Sequence, residues 1–239
     1  MLGMLGWIVA GFGGALAATA ILGAGSAVVH MLPGAAALSS PDKVVYVLIA
    51  SSGFQATLLL AALWQTRRSG GGNRRASLGI RPIRHPGIIV LLCATMMALL
   101  FGFVTLVALF PGLRAFAESV TPSVLSEDSS PVVLGLKIML VAVLAPVSEE
   151  LFFRGWIWEA LRQRGQSVAM TVCLSIIPWL LLHGIDSPGR ILFIIPAGLI
   201  FSLARHVGGS VLASLSLHVT NNGTAVLMQL LSMYFGDAA

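Results

Sequence analysis

Charge is what this 239-residue sequence has least of. Asp, Glu, Lys and Arg make up 10% of it, where a soluble domain carries about 25%. Apolar types make up 57%, and the mean hydropathy is +0.94. That balance excludes an ordinary soluble domain and points to an integral membrane protein. Cysteine is nearly absent. Cys93 and Cys173 both lie in apolar runs, so no disulfide framework is expected. Lysine is scarce too: twelve of the fourteen basic residues are arginine. This usage suits a GC-rich bacterial genome, so the bacterial cytoplasmic membrane is the expected location. No Lys or Arg precedes the first apolar run, MLGMLGWIVAGFGG. A retained first span is therefore expected rather than a cleaved signal. No internal repeat is visible, which gives an inverted-repeat transporter no support. There is no HExxH pair and no nucleophile elbow, so neither a standard zincin nor a serine hydrolase is indicated. The net charge of +5 invites a nucleic-acid partner, but membrane orientation accounts for it and no nucleic acid is expected.

What the chain does have is apolar runs of spanning length, about 20 residues each. Seven candidates lie at roughly 5–29, 44–64, 87–110, 132–153, 167–183, 190–206 and 210–235. The expected fold is an all-α, polytopic membrane helical bundle with about seven transmembrane helices. It divides into residues 1–129, with N-terminal spans and a basic loop, and residues 130–239, the remaining spans of the same bundle.

The loops set the orientation. QTRRSGGGNRRASLGIRPIRHP carries Arg67, Arg68, Arg74, Arg75, Arg81 and Arg84. The next loop, PGLRAFAESVTPSVLSEDSSP, carries Glu118, Glu127 and Asp128 against Arg114. The positive-inside rule places the first in the cytoplasm and the second outside. The N-terminus is then cytoplasmic, and ten of the fourteen basic residues lie inside. Lys137, near the start of span four, could snorkel outward.

Against this apolar background, LVAVLAPVSEELFFRGWIW stands out, with Glu149, Glu150 and Arg154 inside or beside a span. An ionisable residue there is costly and marks a functional site by default. Glu150 and Arg154 are four apart, share a helix face and can pair. Glu149 points about 100° away from Glu150, so it is less well placed for that partner. The bland alternative is that both glutamates only neutralise arginines at a helix end. Two further motifs weigh against it. PWLLLHG ends span five with His183, and LSLHVTNNG places His218 and Asn222 on one face of span seven.

Spacing brings these residues together. Spans four and five turn near RQRGQS, and Glu149 and His183 lie 17 residues either side of Gln166. In an antiparallel hairpin they are level, about 25 Å from the turn. Spans six and seven turn at HVGG, residues 206–209. His183 reaches mid-depth only if span five stops inside the bundle and GIDSPG, 184–189, continues as irregular backbone. Such backbone is tolerated where it is buried in protein or lines a wet cavity.

A carboxylate, two histidines and an asparagine suit hydrolysis by activated water. Glu149, helped by His183, could take the water proton. His218 and Asn222 could donate to the developing oxyanion. Glu149, His183 and His218 could alternatively hold zinc, since His and carboxylate are ordinary zinc ligands.

EELFFR at 149–154 resembles the EExxxR signature of the CPBP family, also called the Abi or type II CAAX-protease family. WLLLH resembles its FxxxH motif, and HVTNN its histidine with asparagine four residues on. The resemblance covers about residues 130–225 and leaves the first three spans without a recognised motif. It implies a membrane endopeptidase open toward the cytoplasm, acting on a membrane-associated peptide or protein in the lipid bilayer. Glu149 would be the general base and His183 its partner. Glu150 and Arg154 would support the site, and His218 and Asn222 would hold the oxyanion. Trp179 stands where the family usually has Phe, which predicts altered packing near His183 rather than lost activity. Two other readings remain. One is a non-proteolytic protein of the same fold, in bacteriocin immunity or scaffolding. The other is a proton-coupled transporter using the acidic and histidine residues as a relay.

Overall fold

In the computed structural model, the described residues are 40–68, 73–113, 115–117, 125, 130–183 and 188–235. Among them there are helices and connecting turns, and no strand. The long helices are α1 (Ser40–Arg68), α3 (Pro86–Leu109), α4 (Pro131–Gln163), α5 (Val168–His183), α6 (Pro188–Gly208) and α7 (Val211–Phe235), with a short α2 (Arg74–Ser77). Six of the seven expected spans correspond to these helices; the first, 5–29, lies outside the described residues. α3, α4 and residues Ile191–Gly208 of α6 are each long and apolar enough to cross a membrane. Protein burial covers little of α3. Val90, Leu91, Leu99, Val104 and Leu109 face outward along it. An outer surface so apolar needs lipid as its solvent.

α7 packs on α3, α4 and α6, while α1 lies along α4 and α5 rests on α4 and α6. On α1, Gln55, Leu58, Ala62 and Thr66 are buried. Their spacing makes one stripe toward the bundle. α6 and α7 approach through small residues, including Ala204, Gly208, Ala213 and Ser214. Lys137, expected to reach outward, is buried at 8% exposure, because α1 packs along the first turns of α4.

α4 departs from regular geometry. Ser130 caps it, Oγ accepting from Val133 N at 3.4 Å, and Pro131 opens it. Two π-helical stretches follow, Leu140–Leu144 and Glu150–Ile157. Such i→i+5 turns are rare and cluster at functional sites. The first precedes Pro146, whose ring cannot share space with an ordinary preceding turn and which has no N–H.

The turns fall where the sequence places them. α4 ends at Gln163, followed by Gly165 at φ 76°, and α6 turns into α7 through Gly209 at φ 65°. α5 ends at His183, as expected. Of the irregular stretch expected at 184–189, Pro188 and Gly189 already belong to α6, and 184–187 lie outside the described residues.

The basic segment after α2 is strapped to the bundle end. Val211 N donates to Gly79 O at 3.0 Å, and Arg84 N to Gly208 O at 2.9 Å. Arg81 grips Glu159 of α4 with both terminal nitrogens at 2.9 Å, and Arg205 of α6 pairs with the same carboxylate. Gly79 sits here at φ 64°, where a Cβ would lie 3.0 Å from Glu159 Oε1 and closer still to the Arg205 guanidinium. Only glycine serves both the backbone and the space.

Candidate active site

Glu149 and Glu150 are adjacent on α4 and face different partners. Glu150 is fully buried. Its Oε1 accepts from Arg154 Nη1 at 3.2 Å, one turn on, and lies 3.0 Å from His218 Nδ1 of α7. Arg154 is equally buried; its Nη2 donates to Gly198 O of α6 at 3.4 Å, and its guanidinium lies 4.7 Å from the Trp179 ring centroid. The pairing predicted from the i,i+4 spacing therefore holds, and Glu149 is left free of it.

Glu149 is 5% exposed and sits where α1, α4, α5 and α7 meet. Gln55 Nε2 of α1 donates to its Oε1 at 3.2 Å. Trp179 Nε1 of α5 donates to its Oε2 at 2.7 Å. The same Oε2 faces His183 Nε2 at 3.6 Å and His218 Nε2 at 4.0 Å. His183 is level with Glu149, as the equal spacing about Gln166 predicts. Its side chain is 29% exposed, so it forms the accessible wall of the site.

The tautomer of His183 follows from its partner. Nδ1 lies 2.9 Å from Trp179 O. A carbonyl only accepts, so Nδ1 carries the proton and Nε2 is turned toward Glu149. His218 is stacked on Phe201, with ring centroids 4.5 Å apart and planes 21° apart. The stacking and Glu150 together fix its ring.

Asn222 lies one turn beyond His218 and does a separate job. Its Nδ2 donates to Val141 O at 2.9 Å, and its Oδ1 accepts from Asn221 Nδ2 at 3.0 Å. The Val141 carbonyl is open for a definable reason. The N–H of Ala145 is taken by Leu140 O, and the next candidate donor, residue 146, is a proline. Asn222 fills this gap and ties α7 to α4, which leaves its second amide hydrogen for another acceptor.

Sequence reasoning missed Gln55. Its Nε2 donates to Glu149, while its Oε1 accepts from Ser148 Oγ. A polar amide inside an apolar span was a usable signal. Trp179 was noticed only as a packing change, whereas its N–H donates directly to the Glu149 carboxylate.

Residues 131–224 match the family model described as type II CAAX prenyl endopeptidase Rce1-like. This segment, well under half of the chain, is similar to that family. It starts with α4 and includes Glu149, Glu150, Arg154, His183, His218 and Asn222. The Rce1-like family is one of CAAX-type intramembrane proteases. No curated protein and no solved structure matches the chain.

The zinc alternative can be tested on the donor set. Both Glu149 oxygens accept N–H groups, and His218 turns Nδ1 to Glu150. Each Glu149 oxygen keeps a further lone pair, and Nε2 of His183 and of His218 faces Oε2, so these are the residues that would hold a zinc ion.

Proposed function

We propose that the protein is an intramembrane endopeptidase that hydrolyses a peptide bond of a membrane-associated peptide or protein with water activated by Glu149 and His183. The carrying observation is the 3.6 Å separation of Glu149 Oε2 and His183 Nε2, with His183 protonated on its far nitrogen. Two lone pairs turned toward each other at that distance suit one shared donor, and a water molecule supplies both hydrogens. Glu149 takes the proton as the water oxygen attacks the carbonyl carbon, then returns it to the departing amine as the C–N bond breaks. His218 donates to the oxyanion from Nε2 when it carries both protons, and the Glu150 carboxylate at Nδ1 is the counter-charge for that form. The second N–H of Asn222 is the other donor.

An apolar groove of about 280 Å³ supports a membrane-associated substrate. Leu99, Leu192, Pro196 and Ile200 line it, together with Asn221, which is bonded to Asn222. This reading includes the division into residues 1–129 and a catalytic part at 130–239. It also includes a bacterial cytoplasmic membrane with the N-terminus inside, as the loop charges predict.

The test is cleavage of fluorogenic peptides carrying an apolar anchor by detergent-purified protein, with and without a chelator. Wild type cleaves, loss with the chelator shows that the reaction uses a metal, and Glu149→Gln loses about 10²- to 10⁴-fold, the usual weight of a general base. Equal cleavage by both proteins, or none by either, moves the protein to the immunity or scaffold reading.

A further inference from the structure

Trp179 meets Glu149, His183, His218 and Arg154 at once. Its indole N–H donates to Glu149 Oε2 at 2.7 Å. Its ring centroid lies 4.2 Å from that of His183 and 6.0 Å from that of His218, and the Arg154 guanidinium covers its face. The ring has nowhere to go. It is 2% exposed, Phe201 meets it edge-on at 6.1 Å, and a Cβ on Gly198 would come within 3.0 Å of it. Pro178 precedes it in α5, so the turn carrying Trp179 and His183 follows a break in the helical hydrogen bonding.

The choice of oxygen matters. Glu149 Oε2 is the atom facing both imidazoles, so the donor that fixes Oε2 fixes the direction in which the carboxylate can take a proton. An indole N–H suits this role, because it donates and cannot accept. It therefore competes neither for the water proton nor for a place in the proton transfer.

We propose that Trp179 is a positioning residue for the general base, its wedged indole N–H aiming the free lone pair of Glu149 Oε2 at the water shared with His183. This rests on the peptidase reading above and adds a determinant to it. A phenylalanine at 179 would keep an aromatic wall and lose the aim.

The test compares wild type, Trp179→Phe and Trp179→3-benzothienylalanine, which keeps the bicyclic shape and replaces N–H by sulfur. Both kcat and KM are measured on the anchored peptide. Both variants lose kcat, by up to about 10²-fold for a misplaced group, with KM unchanged. The indole ¹H–¹⁵N signal that disappears in Trp179→Phe also shifts in Glu149→Gln. Wild-type kcat in the benzothienyl variant shows that ring shape alone matters and overturns the proposal. An indole signal unmoved by Glu149→Gln does the same. No cleavage by wild type removes the peptidase reading and this role together, whereas active wild type with unchanged variants removes this role alone.

Discussion

Glu150 Oε1 and His218 Nδ1 meet at 3.0 Å between α4 and α7, and that contact separates the duties of two adjacent glutamates. Glu150, closed in by Arg154 and His218, holds helices together. Glu149, one residue earlier, keeps an oxygen turned to the accessible side of His183.

Arg154→Leu removes the guanidinium and leaves Glu150 buried with one counter-group. Breaking one side of a buried pair destabilises by about 3–5 kcal/mol, and the remaining His218 favours the lower end. Thermal unfolding in detergent measures it. The double variant Arg154→Leu/Glu150→Leu recovers part of the loss; a single variant as stable as wild type contradicts the burial of this pair.

Gln55→Leu, outside the matched segment, takes the donor from Glu149 Oε1 and an acceptor from Ser148 Oγ. The expected result is a kcat about tenfold lower, equivalent to about 1.4 kcal/mol of barrier, with KM little changed. An unaltered kcat means that the α1 contact does not orient the base.

Asn222→Leu leaves the half-buried Val141 carbonyl without its side-chain donor, a loss at the low end of the about 1–3 kcal/mol that a fully buried group costs. Adding Pro146→Ala supplies a backbone N–H within reach of that carbonyl. Part of the stability then returns in the double variant, while catalysis stays low. If Pro146→Ala restores nothing, the proline is not what opens the carbonyl.

Glu159→Ala strips the acceptor from Arg205, which is 3% exposed at the side chain, and from Arg81, which is 42% exposed. It therefore lowers the unfolding temperature far more than Arg81→Ala, whose ion pair is largely screened by solvent. Equal effects from the two substitutions contradict that ordering.

Much of this arrangement was legible from residue types. Length and apolarity marked the spans, and glycines marked the turns at 165 and 209. The costly residues Glu149, Glu150, Arg154, His183 and His218 converge as their spacing implies. The π-helical stretches of α4 were not legible, because they depend on hydrogen-bond register rather than on composition. Trp179 was seen as bulk, since its hydrogen bond exists only once α5 lies against α4. Lys137 was misjudged because loop charge counts carry no information on which helices cover a given turn.

Gln55 comes from α1, while the family match begins at residue 131. The edge of the recognisable segment is thus not the edge of the working unit. A chimera joining residues 131–224 to an unrelated set of leading helices would keep every motif residue. It would still lack one amide on the carboxylate. Such a hybrid would carry the right signature and be impaired for want of a side chain that no motif mentions.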